Sequence, residues 1–273
     1  VGEYKLASKE KLNQNTIIKI KDTLIGEGYC TIIAGPCAIE SRDNYLEIAQ
    51  ILKEIGVDML RGGAFKPRTS PYSFQGMGKE GLQIIYEAKM LTNLPAVTEV
   101  LDVRDIDYVY KYCDIIQIGS RNMQNFSLLK EVGKIDKPVI VKRGLSATID
   151  EWLLAAEYVL NMGNEQVILC ERGIRTFETL TRNTVDIGAV SLIKELSHLP
   201  ILVDPSHATG KRSIIKPVAK AALAAGADGI MVEVHQKPED ALSDGSQSLT
   251  PKEYKSLYLE LTKFSHLENK QIN

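Results

Sequence analysis

The 273 residues carry a formal net charge of −2, with 44% apolar and 25% charged side chains. That balance is too apolar for disorder and too neutral to suggest a nucleic-acid or anionic-membrane partner; no apolar run approaches the roughly 20 residues of a membrane span. Cys30, Cys37, Cys113 and Cys170 lack a repeated spacing and the N-terminus lacks the basic-then-apolar pattern of a secretory signal, so a cytoplasmic protein with reduced thiols is expected.

Along the chain, residues 16–21 and 23–25 form two short β-rich runs around Asp22 and read as a hairpin. From residue 31 onward, short β-branched runs alternate with longer amphipathic stretches. A strand at 31–34 precedes a helix at 45–55, where Ile48, Leu52 and Ile55 recur at helical spacing and Ser41 is placed to cap the N-terminus. Strand 58–60 and helix 81–91 follow, then strand 95–100 and helix 103–112, then strand 115–118 and helix 126–132. The second half continues with 138–141 and 149–160, 166–170 and 185–196, 200–203 and 218–225, and 229–234 and 254–264. Gly56, Gly163 and Gly226 follow three of these helices as stop signals. Near-continuous apolar runs suit parallel strands covered on both faces. Their strict alternation with helices predicts an α/β fold, a closed (β/α)8 TIM barrel, whose usual length of roughly 250 residues also fits; an open doubly wound sheet is the alternative. The expected division is an N-terminal hairpin extension over 1–30 and one catalytic barrel over 31–273, the extension being shorter than the roughly 50 residues of a domain.

Active sites of such barrels assemble at the C-terminal ends of the strands. Charged residues occur at all of those ends here, and cations at four of them: Arg61, Lys66 and Arg68 after the second run, Arg121 after the fourth, Lys142 and Arg143 after the fifth, Arg172 and Arg175 after the sixth. A single charge at a strand end means little, because every strand leaves the core for water. Cations converging on one mouth repel each other unless anions bind there, and the planar fork of arginine matches phosphate and carboxylate oxygens. The pattern implies a polyanionic ligand, with more than one phosphate. Gly62, Gly63, Gly119, Gly144 and Gly173 beside these charges let backbone amides approach such oxygens.

Cys37, His207, Glu233 and Asp244 follow the first, seventh and eighth runs, which are neighbours in a closed barrel. A thiolate, an imidazole and two carboxylates suit Mn²⁺, Fe²⁺, Co²⁺ or Zn²⁺ better than Mg²⁺ or Ca²⁺. Composition leaves other readings open. Cys37 could be a small buried apolar residue, His207 a helix-cap or core histidine, and His235 could replace His207 or orient Glu233. Cys30, Cys113 and Cys170 read as packing residues, Trp152 as core, and His198 and His266 as surface residues on helices away from the mouth.

The segments Ala34-Gly35-Pro36-Cys37, Leu60-Arg61-Gly62-Gly63-Ala64-Phe65-Lys66-Pro67-Arg68-Thr69-Ser70, Asp204-Pro205-Ser206-His207 and Leu242-Ser243-Asp244-Gly245, in this order, closely resemble those of the compact 3-deoxy-D-arabino-heptulosonate 7-phosphate synthases. The resemblance covers nearly the whole chain from about Tyr4. It implies a transferase that opens the shikimate pathway to chorismate and the aromatic amino acids, joining phosphoenolpyruvate to erythrose 4-phosphate. The related 3-deoxy-D-manno-octulosonate 8-phosphate synthases, which use arabinose 5-phosphate, are the alternative. They resemble a Lys-Ala-Asn-Arg-Ser-Ser pattern where this chain has Lys66-Pro67-Arg68-Thr69-Ser70, and some carry Asn where Cys37 stands.

By resemblance, Cys37, His207, Glu233 and Asp244 hold one divalent ion, with Mn²⁺ first in order and Fe²⁺, Co²⁺ or Zn²⁺ as options. Arg61 and Lys66 hold the phosphoenolpyruvate carboxylate, while Lys142, Arg172, Arg121 and the backbone amide near Ser120 hold its phosphate. Arg68, Thr69 and Ser70 take the aldehyde's phosphate. Lys66 is the expected proton donor, Glu99 the expected activator of water, and His207 an aid to proton transfer. A homo-oligomer (tetramer or dimer) and an association with chorismate mutase are further implications. A Schiff-base aldolase and a non-catalytic barrel that binds phosphorylated metabolites are the readings from other classes.

Overall fold

The computed structural model describes residues 3–12 and 14–273; positions 1, 2 and 13 of the expected extension lie outside them. Two strands, β1 (Ile18–Ile20) and β2 (Thr23–Ile25), pair antiparallel as the predicted hairpin, shorter at its start than expected. Then follow β3 (Thr31–Gly35), α1 (Arg42–Ile55), β4 (Met59–Arg61), α2 (Lys79–Thr92), β5 (Ala96–Val100), α3 (Ile106–Tyr112), β6 (Ile115–Ile118) and α4 (Phe126–Val132). The order continues with β7 (Val139–Lys142), α5 (Ile149–Asn161), β8 (Val167–Glu171), α6 (Ile187–Leu196), β9 (Ile201–Val203), α7 (Pro205–Thr209), α8 (Ile215–Ala224), β10 (Gly229–Glu233) and α9 (Pro251–Leu267). Strands β3 to β10 close into a parallel barrel in chain order, with β10 against β3, so the open-sheet alternative is excluded.

Strand alternation explains the two apolar layers. Ile32, Ala34, Leu60, Ile116 and Val141 face the surrounding helices, whereas Ile33, Met59, Val97, Ile115, Ile140, Ile168, Leu202 and Met231 fill the barrel interior. The hairpin's Ile18, Ile20 and Ile25 join that interior cluster. The extension therefore plugs the floor of the barrel. Three aspartates just before strands stitch neighbouring strands at this lower end: Asp58 accepts from Ile32 N (2.6 Å), Asp114 from Ala96 N (2.9 Å) and Asp228 from Ile201 N (3.0 Å).

Helix signals behave as their chemistry requires. Ser41 caps α1 by accepting from Asn44 N, and Gly56 ends it at φ +114°. Thr148 with Glu151 and Thr250 with Glu253 form capping boxes on α5 and α9. One helix is absent from the sequence reading: α7, immediately after β9, with Asp204 as N-cap and Pro205 in its first turn. His198 departs from expectation. It lies between α6 and β9 and is 4% exposed, its ring bonded to Thr16 Oγ1 and Leu6 O at 2.7 Å each, where it pins the N-terminal arm. His266 is exposed on α9 and Trp152 fully buried, both as expected.

Candidate active site

Register assembles the site. Pairing of β10 with β3 puts Glu233 opposite Gly35, two residues before Cys37. Helix α7 brings His207 beside the same strand end, and Asp244 follows in a turn at φ +54°, a left-handed conformation that aspartate tolerates better than most residues. One donor atom each from Cys37, His207, Glu233 and Asp244 lies within 4.8 Å of all the others.

The imidazole is held from behind. Asp204 Oδ1 accepts from His207 N at 3.0 Å, and Asp204 Oδ2 stands 2.6 Å from His207 Nδ1. Lys142 binds the same Asp204 Oδ2. Burial lowers the pKa of His207 despite Asp204 and Glu233, so the ring is neutral with its proton on Nδ1. Asp204 itself is buried, but His207 and Lys142 keep it ionised. That tautomer leaves the Nε2 lone pair 3.2 Å from Glu233 Oε1. Burial likewise opposes the charge on Glu233, yet the neighbouring cations, Arg61 and Lys66 among them, hold its carboxyl well below the usual range. Burial and Glu233 push the Cys37 thiol up to about 12, against the pull of Lys66. Cys37 Sγ lies 3.3 Å from Asp244 Oδ2 and 3.0 Å from Lys66 Nζ. Electron-rich atoms so crowded suit a divalent cation placed among them, and their mixed thiolate, imidazole and carboxylate chemistry fits a borderline metal.

Above this set opens a cavity of about 360 Å³. Its wall contains the residues that the resemblance assigned to the substrates, Arg61, Lys66, Arg68, Thr69, Ser70, Ser120, Arg121, Lys142 and Arg172, together with Glu99, and with His207 and Asp244 at its base. Cys37 and Glu233 lie buried next to it, 2% and 0% exposed. Gly63 leaves room for Lys66, because a Cβ there would come within 2.6 Å of its Cδ. Gly119 does the same for Glu99, whose Oε1 would stand 2.0 Å from an added Cβ. Glu99 accepts from Gln117 Nε2 at 3.1 Å.

The cations divide into two kinds. Arg61 binds Glu233 at 2.8 Å, Lys66 binds Cys37 and Lys142 binds Asp204, so these three are held in place by the site. Arg172 is 6% exposed, and among the described residues its one side-chain bond is to Gly173 O at 3.4 Å; burial and nearby Arg182 lower its pKa against the pull of Asp204. Among the described residues Arg68 bonds only the Ser243 hydroxyl. A buried guanidinium without a carboxylate calls for an anion from outside.

Two expectations fail. Arg143 turns away from the cavity to bind Glu171 (3.0 Å) and Asp186 (2.9 Å), because it follows Lys142 and so points to the opposite side of the strand. His235 neither ligates nor orients Glu233; its ring faces Glu40 at 3.5 Å and accepts from Lys237 N at 3.1 Å. The sequence reading also assigned no part to Arg182, Asn183, Gln117 or Gln247. Asp204, three residues before His207 in an Asp-Pro-Ser-His run, was findable as a cap.

The profile of the DAHP synthetase I family matches residues 10–268. A curated relative from Thermotoga maritima, phospho-2-dehydro-3-deoxyheptonate aldolase, is 54% identical over 99% of this chain and 80% of its own length. A 2-dehydro-3-deoxyphosphooctonate aldolase from Desulfatibacillum aliphaticivorans is 34% identical over 84% of this chain and 90% of its own length. Among solved structures, the Thermotoga maritima aldolase superposes with a TM-score of 0.98 at 53% identity, covering 100% of this chain and 80% of that one. A truncated form of 3-deoxy-D-arabino-heptulosonate 7-phosphate synthase from the same organism gives 0.94 at 50% identity, with both chains fully covered.

Proposed function

The chain belongs to the DAHP synthetase I family, and from that premise we propose how its residues divide the family's reaction. The enzyme is a 3-deoxy-7-phosphoheptulonate synthase: it condenses phosphoenolpyruvate, erythrose 4-phosphate and water to 3-deoxy-D-arabino-heptulosonate 7-phosphate and inorganic phosphate, the first step of the shikimate pathway. The octulosonate synthases are only distant relatives, at 34% identity for the Desulfatibacillum protein. The observation that carries the substrate reading is the buried Arg172, without a salt bridge among the described residues, in a cavity lined by further cations, beside a compact donor set.

In this reading Arg61 and Lys66 hold the carboxylate of phosphoenolpyruvate. Arg172, Lys142, Arg121 and the backbone amide near Ser120 hold its phosphate, and Arg68, Thr69 and Ser70 hold the phosphate of the aldehyde. Held in register, C3 of phosphoenolpyruvate forms the new bond to the aldehyde carbon, and orientation supplies much of the rate. Cys37, His207, Glu233 and Asp244 would hold the divalent ion, Mn²⁺ by preference, which when bound supplies Lewis-acid polarisation of the aldehyde carbonyl. Burial opposes the charge of Lys66, but Cys37 and Glu233 keep its ammonium protonated, ready to give a proton to the developing alkoxide oxygen. Glu99 takes a proton from the water that adds at C2, and His207 assists proton transfer. Phosphate then departs with cleavage of the C2–O bond. Reduced cysteines suit the cytoplasm, and a homo-oligomer, with chorismate mutase as a further partner, completes the proposal.

Purified protein supplied with phosphoenolpyruvate and each aldehyde, followed by phosphate release, tests the reading. Release with erythrose 4-phosphate and little with arabinose 5-phosphate is expected, and it stops after exhaustive chelation. The reverse aldehyde preference would overturn the substrate assignment; full activity after chelation would overturn the ion.

A further inference from the structure

The four donors are braced by contacts that the mechanism above does not use. Between β8 and α6 the chain turns back on itself, Ile174 and Thr184 exchanging backbone hydrogen bonds of 2.9 Å in both directions. The returning arm lies along α7: Arg182 N donates to Thr209 O at 2.9 Å, Asn183 N to Ala208 O at 2.8 Å, and Asn183 Nδ2 to His207 O at 3.0 Å. Gly210, at φ +64°, leaves space for this arm, since a Cβ there would stand 2.5 Å from Arg182 Cβ. Residues 182 and 183 are thus fixed against the segment that carries His207.

From this anchor Arg182 Nη1 reaches Asp244 Oδ2 at 3.2 Å and Gln247 Oε1 at 2.8 Å. Gln247 is 2% exposed, and its Nε2 donates to Glu233 Oε2 at 2.6 Å. Both ends of the amide are therefore specified. A guanidinium can face only the carbonyl oxygen, which turns the NH2 toward the carboxylate. With Oε2 engaged by Gln247, Glu233 presents Oε1, which also accepts from Arg61 at 2.8 Å, to His207 Nε2, 3.2 Å away.

We propose that Arg182 and Gln247 are positioning residues that act in series, fixing Glu233 as a one-oxygen donor and Asp244 Oδ2 toward the donor set. A carboxylate free to rotate would present either oxygen or both; the brace removes that freedom before an ion arrives. The inference rests on the reading of Cys37, His207, Glu233 and Asp244 as ligands. Outer partners of this kind contribute about 10–100-fold in metal affinity.

The test titrates apoprotein with Co²⁺, read by the thiolate-to-cobalt charge-transfer band that Cys37 ligation produces, and with Mn²⁺ by calorimetry. Gln247→Met and Arg182→Met are each expected to weaken binding about 10–100-fold. The double variant should lose no more than the larger single loss, as a series arrangement requires. Arg182→Lys should recover part of the loss, because a cation remains beside Asp244. Gln247 is buried; if its variant does not fold, the exposed Arg182 carries the test. Affinities within about twofold of wild type in folded Arg182→Met overturn the brace while leaving the ligands intact. A wild-type protein that binds neither ion overturns both.

Discussion

Arg172 and Arg68 differ from Arg61, Lys66 and Lys142 in making no salt bridge or thiol contact among the described residues, and that difference predicts which substitutions affect binding alone. Arg172→Ala should raise KM for phosphoenolpyruvate at least about tenfold, on the scale of a lost charge-assisted bond. Arg68→Ala should raise KM for erythrose 4-phosphate instead; steady-state kinetics with each substrate varied would expose a swapped assignment. Away from the mouth, burial pushes the Asp58 carboxyl up to about 7, against the bond from Ile32 N. Its folded pKa lies above the unfolded value of about 3.9, so the folded state binds more protons between the two, and stability falls as pH rises from about 4 to about 7. The melting temperature of wild type relative to Asp58→Asn should therefore decline between about pH 5 and pH 8. A difference flat across that range would show that the carboxyl is not perturbed. The four-residue donor set and the cavity cations were legible because nearly all are chemically distinctive residues at or just after a strand end. Arg143 and His235 misled because a strand end says nothing about which side a particular side chain takes.

Strands and helices were legible because burial on both faces leaves a continuous apolar run, and because Ser41, Gly56 and their counterparts mark helix ends. Helix α7 was not, since five residues give no periodicity; only its aspartate cap and proline betray it. The loop between β8 and α6 was opaque for a related reason: its shape depends on pairing with α7 rather than on its own sequence. Gly173 makes that pairing feasible. It sits at φ +86°, where an added Cβ would stand 2.8 Å from Asn183 Cβ and 3.0 Å from Ala208 Cα. Gly173→Ala is accordingly expected to destabilise the protein by about 1 kcal/mol or more and to weaken phosphoenolpyruvate binding through the adjacent Arg172. Thermal melting paired with the KM for phosphoenolpyruvate checks this, and an unchanged value of both would remove Gly173 from the account.

For the whole molecule, the barrel is sealed below by the hairpin isoleucines and open above through a mouth rich in charged and polar side chains. Ligands that occupy the mouth should stabilise the entire fold, because they bind the native state alone. At about 100 times its dissociation constant an ion contributes roughly 2.7 kcal/mol, so chelation should lower the melting temperature by several degrees; an unaltered melt argues against a bound ion. Assembly is a separate expectation. Tyr86, Met90 and Leu91 on α2 and Tyr108 and Tyr110 on α3 are exposed by 40–68%, enough apolar surface for light scattering to be expected to report a dimer or tetramer rather than a monomer.

The pairing of β10 with β3 also orders events in time. A ribosome delivers Cys37 almost two hundred residues before Glu233. Until the last strand emerges, the growing chain has a thiol without its neighbouring carboxylates and an unpaired edge along β3. The four-residue donor set is therefore completed last, and a product released short of β10 would be sticky and would lack two of the four donors.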